Sequence, residues 1–118
     1  TTTGAVRGFT AMSAFCAWVY DWRDAKRAGD RTAAAGAASV IAAAPRWRAV
    51  LAEDPHPNPA SRTSIFGWFL PFRTAVLRGD MTVVDHLIAS NYGTAGCPYF
   101  DPPAASHGGT ALPTVPRS

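Results

Sequence analysis

Trp18-Val19-Tyr20-Asp21-Trp22-Arg23-Asp24-Ala25-Lys26-Arg27-Ala28-Gly29-Asp30-Arg31-Thr32 has a counterpart at an offset of 50, Trp68-Phe69-Leu70-Pro71-Phe72-Arg73-Thr74-Ala75-Val76-Leu77-Arg78-Gly79-Asp80-Met81-Thr82. Trp18 lies over Trp68, Trp22 over Phe72, Arg23 over Arg73, Ala25 over Ala75, Gly29-Asp30 over Gly79-Asp80, and Thr32 over Thr82. Each copy reads as a helix that stops and a helix that starts. Glycine takes the left-handed cap conformation at no steric cost. The aspartate after it can accept the free backbone N–H groups of the next helix. A register kept through helix, turn and helix predicts a duplicated helical hairpin.

Working outward, Val6, Phe9, Met12, Phe15, Cys16, Val19 and Tyr20 recur at helical spacing, with Ala11, Ala14 and Ala17 filling much of the circumference. A second, alanine-rich helix follows from about Arg31 to Ala44. Pro45 either starts a short new helix or kinks this one, and Trp47, Val50 and Leu51 continue the helical spacing. Pro55, Pro57 and Pro59 mark a loop. Apolar spacing resumes at Ile65, Phe66, Trp68, Phe69 and Phe72, with Pro71 either bending that helix or opening its regular part. Met81 to Ile88 makes the fourth helix, with Gly93 as its expected end.

The fold expected is all-α: four main helices in two related hairpins, packed as a small bundle. The helical domain spans 1–93, with hairpin 1 at about 5–53, a connector at 54–63 and hairpin 2 at about 64–92. Residues 94–118 form an extended Pro/Gly-rich C-terminal arm with Tyr99 and Phe100 as anchors.

Composition narrows the function classes. In 118 residues the hydrophobic fraction is 47%, which supports a folded core, and the net charge is only +3. Arg23, Arg27 and Arg31 are interleaved with Asp21, Asp24 and Asp30, which dilutes the field a nucleic-acid backbone needs. No uncharged run reaches the roughly 18 to 20 apolar residues of a membrane span, so no transmembrane segment is expected. The chain opens at Thr1, which reads either as a processed N-terminus or as a trimmed chain; processing would favour an extracytoplasmic, secreted or organellar location.

The chemistry-bearing residues are few. Cys16 and Cys97 match no metal motif. They are either a disulfide tying the arm to the bundle, worth roughly 4 kcal/mol by loop closure, or one buried and one more exposed thiol. His56, His86 and His107 fall in a loop, a helix and the tail, and adjacent Asp85 and His86 diverge by about 100° on a helix. No catalytic set, cofactor or metal site is expected. Arg78-Gly79-Asp80 spells an adhesion tripeptide, but Gly29-Asp30 makes the same turn without the arginine.

The apolar run Phe66-Gly67-Trp68-Phe69-Leu70-Pro71-Phe72 is either core or, where exposed, an interface. Phe66, Trp68, Phe69, Phe72, Tyr99 and Phe100 are therefore the candidate interface residues. The leading expectation is a non-catalytic structural or accessory subunit, docked to other protein subunits of a larger, possibly membrane-associated, assembly through this helix and the arm. The alternative is a free-standing extracytoplasmic helical domain with its tail held by the disulfide, and a small enzyme or ligand-binding domain comes third.

Overall fold

The structure, a computed structural model, describes residues 3–90 and Cys97, with side chains from Ala11 onward. The described residues are helical throughout their regular elements and contain no strand. In chain order these are α1 (Thr3–Ala28), α2 (Arg31–Ala43), a 3-10 turn (Ala44–Arg46), α3 (Arg48–Glu53), α4 (Phe69–Leu77) and α5 (Met81–Ala89). The four main helices α1, α2, α4 and α5 form the two expected hairpins.

Both hairpin turns have the same hydrogen-bonded form. Gly29 and Gly79 have φ of 73° and 69°. Asp30 donates its N–H to the Ala25 carbonyl at 2.9 Å, and Asp80 donates to the Ala75 carbonyl at 2.8 Å. Gly29 and Gly79 donate to the carbonyls of Lys26 and Val76. This pair of bonds satisfies carbonyls that a helix end leaves free. The aspartate side chains then cap the following helices, Asp30 accepting from Ala33 at 3.0 Å and Asp80 from Val83 at 3.1 Å. Lys26 and Arg27 occupy the last turn of α1, where positive charge complements the helix dipole.

The hairpins also hold each other through their equivalent arginines. Arg23 of α1 reaches across to Asp85 of α5, and Arg73 of α4 reaches across to the Ala42 carbonyl near the end of α2. Each first helix therefore contacts the second helix of the opposite hairpin.

The core runs between them. Phe15, Val19, Ile41, Val50, Phe66, Phe69, Phe72 and Val84 are fully buried, with Trp22 and Trp47 nearly so. Phe69 is the hub: it stacks on Phe15 with centroids 3.8 Å apart, and Trp47, Phe66 and Trp68 meet it edge-on at 4.8 to 6.4 Å. One aromatic from α4 thus joins α1, the entry to α3 and the connector.

Two element boundaries differ from expectation. Residues 64–68 are not helical, and α4 begins at Phe69. The backbone there is committed elsewhere: the Phe66 N–H donates to Asp54 at 2.9 Å, and Gly67 is pressed against the Asn58 backbone. Pro71 falls in the first turn of α4, where its missing N–H leaves no helical bond unmade. Pro45, by contrast, opens a short 3-10 helix between α2 and α3, the first of its two expected roles. The fourth helix ends at Ala89, where Ser90 donates its N–H to His86 and its hydroxyl to the Leu87 carbonyl.

Candidate functional site

Cys16 lies midway along α1, on the side that carries Phe15 and Val19 into the core. Its sulfur is bonded to that of Cys97, with 5.1 Å between the two Cα atoms and a sequence separation of 81. Both cysteines are fully buried. Of the two sequence readings for this pair, the disulfide is the one the structure contains. The start of the C-terminal segment is thereby fixed against the middle of α1.

The expected interface residues on the apolar run are not at the surface. Phe66, Phe69 and Phe72 are fully buried and Trp68 is 7% exposed. This corrects the docking role given to them. The bend at 64–68 turns Phe66 and Trp68 inward beside Phe69, so residues that would project from several sides of a continuous helix converge on one core. Tyr99, Phe100 and His107 lie outside the described residues. Gly29, Asp30, Gly79 and Asp80 stand at the two turns, and the Asp80 carboxylate of the Arg-Gly-Asp tripeptide is engaged as a helix cap.

Two features of the connector carried no periodic signal. Asp54 is a buried charged residue, 7% exposed, and its carboxylate accepts from the Ser64 hydroxyl at 2.6 Å and from the Phe66 N–H at 2.9 Å. Ser64 in turn accepts from the Asn58 N–H, and Asn58 accepts from Ala60. A single carboxylate therefore closes the proline loop across a dozen residues. Gly67 completes the closure, because a Cβ there would lie 2.5 Å from the Asn58 carbonyl oxygen. An acidic residue ahead of a proline cluster and a glycine inside an apolar run were the available hints.

The remaining polar groups are mostly bound within the fold. Asp85 receives Arg23 and Arg27, each at 3.4 Å, in a partly exposed cluster. Arg23 also lies over the Tyr20 ring at 4.8 Å, and Lys26 over Trp22 at 5.9 Å. The indole N–H groups of Trp18 and Trp68, which are equivalent in the repeat, are buried without a hydrogen-bond partner, as is Arg23 Nε. An open cleft of about 150 Å³ lies beside the first turn, lined by Ala25, Lys26, Gly29, Asp30, Arg31 and Ala34. Its charges are mixed in sign, and the Asp30 carboxylate already caps α2. Among the described residues no His, Cys, Asp and Glu side chains cluster as metal ligands, and no helix is long and apolar enough to cross a membrane. The chain matches no protein-family model, no curated protein and no solved structure.

Proposed function

We propose that the chain is a non-catalytic accessory module, serving a larger protein assembly by presenting the Pro/Gly-rich segment beyond Cys97 from a stapled helical body. The observation that carries this reading is the Cys16–Cys97 bond. It anchors the base of that segment to α1, so a partner engaged by residues 98–118 is tethered to the body through Cys97. The use of polar groups supports it too. Asp30, Asp80, Asp54 and Arg73 are committed to caps, the connector and an interhelix tie rather than converging on one cleft. Disulfides persist where thiols are not kept reduced, so the reading places the protein in an oxidising compartment.

Light scattering on the native species, purified gently from its source, tests this. The expected result is a mass well above 12.5 kDa, reduced to that of the body when residues 98–118 are deleted and Cys97 is retained. A native species with the mass of the chain alone overturns the reading. It would favour the free-standing extracytoplasmic domain, which the burial of Phe66, Trp68, Phe69 and Phe72 within the body's own core also supports.

A further inference from the structure

Exchange with a thiol requires a thiolate to reach one of the two disulfide sulfurs, so its rate depends on access as well as on thiolate reactivity. Neither cysteine offers that access, since both are fully buried. Cys16 is held within the 26 residues of α1, and its neighbours Phe15 and Val19 are fully buried, Phe15 being stacked on Phe69 of α4. Cys16 and Cys97 both belong to the same buried core cluster as Phe15, Val19 and Phe69, so exposing either sulfur means opening that core. Unfolding alone does not free the chain end either, because the bond still closes a covalent loop across 81 positions.

From these facts we infer that the Cys16–Cys97 bond is a gated tether, opened only by a reducing dithiol acting on a body that has already opened. In the open state one thiolate of the dithiol attacks a sulfur of the pair, breaks the Cys16–Cys97 bond and expels the other cysteine as a thiolate. The second thiol of the reagent then closes on its own mixed disulfide and expels the remaining cysteine. Two electrons pass from the dithiol to the pair, the reagent leaves as a cyclic disulfide, and its two protons end on Cys16 and Cys97. Opening of the Cys16–Cys97 bond thus requires both conditions together. This device depends on the bond and its burial, not on the accessory role.

The test uses the full oxidised chain and dithiothreitol, with thiols trapped by alkylation and counted by mass at intervals. Before reductant no alkylation is expected; two free thiols at that stage overturn the inference. In native buffer, reduction should be slower than in fully unfolding urea by roughly a hundredfold or more. It should rise steeply with urea below the unfolding midpoint. Equal rates in native and unfolding conditions overturn it. Val84→Ala, a buried change on α5 away from either cysteine's element, should speed native reduction by the factor by which it lowers the folding constant. A stability loss with an unchanged reduction rate would assign access to local fraying around Cys97 and sink the gate. Should that variant not fold, the urea dependence of the unaltered chain decides alone.

Discussion

A methyl group added at Gly67 would lie 2.5 Å from the Asn58 carbonyl oxygen and 2.9 Å from the Pro59 nitrogen. These are backbone atoms, fixed in turn by the Asn58–Ser64–Asp54 chain of hydrogen bonds. Gly67→Ala should therefore destabilise the body by about 2 kcal/mol or more, since overpacking displaces the loop from its lock. Gly36 is the internal contrast: it sits within α2, and an added Cβ would meet nothing within 4 Å. Gly36→Ala should stabilise by about 0.5–1 kcal/mol, the ordinary helix-interior difference. Paired urea titrations with a common slope check both signs at once. Removing the lock itself, Asp54→Ala, leaves a buried Phe66 N–H without its acceptor and should cost about 1–3 kcal/mol. Cap residues such as Gly29 and Asp30 were legible because their partners lie within a turn of the chain. Asp54 and Gly67 were not, since each acts on a residue about a dozen or nine positions away in a segment with no period to read.

Between elements, the two equivalent arginines make a matched experiment. Arg73 donates from Nε to the Ala42 carbonyl at 2.8 Å in a partly buried setting, near the end of α2, where carbonyls lack helical partners. The contacts of Arg23 and Arg27 with Asp85 are longer, 3.4 Å, and Asp85 is 41% exposed. Arg73→Ala should cost about 1.5–3 kcal/mol, the range for a hydrogen bond to a charged group. Asp85→Ala should cost less than about 1 kcal/mol, as screened surface pairs do. Raising the salt concentration should narrow the Asp85 effect and leave that of Arg73 nearly unchanged. Equal losses at both positions would mean that the partly exposed pair carries as much of the contact between hairpins as the partly buried tie. Helix ends marked by Gly-Asp were legible in the sequence, whereas the start of α4 was not. Ile65, Phe66, Trp68 and Phe69 mimic helical spacing, and the demand of Asp54 for the Phe66 N–H together with the close approach of Gly67 to Asn58 breaks it. The same ambiguity produced the interface reading, because composition shows that a segment is apolar but not which elements cover it.

At the scale of the whole molecule, the two matching Gly-Asp turns supply two hairpins and the disulfide ties Cys97 to them. The bond closes a loop across 81 positions, and the chain-entropy estimate for such a loop is about 4.5 kcal/mol of denatured-state freedom removed. A domain of this size is typically stable by only about 5–15 kcal/mol in total. The double variant Cys16→Ala with Cys97→Ala should therefore lose about 4 kcal/mol, a large share of what holds the body together. Alanine keeps the sites apolar and avoids burying a hydroxyl in a core that offers it no partner. Its unfolding slope in urea should also rise, because an unstapled denatured chain is less compact and exposes more surface. The two readouts separate two accounts of the bond. A lower midpoint with a steeper slope places the stabilisation in the denatured ensemble, as loop closure requires. A lower midpoint with an unchanged slope places it in the native contacts that Cys16 makes inside α1, and the bond would then be valued for packing. A midpoint unchanged by the double substitution would leave the helical body self-sufficient. In that case the staple would serve only to tether Cys97 to α1.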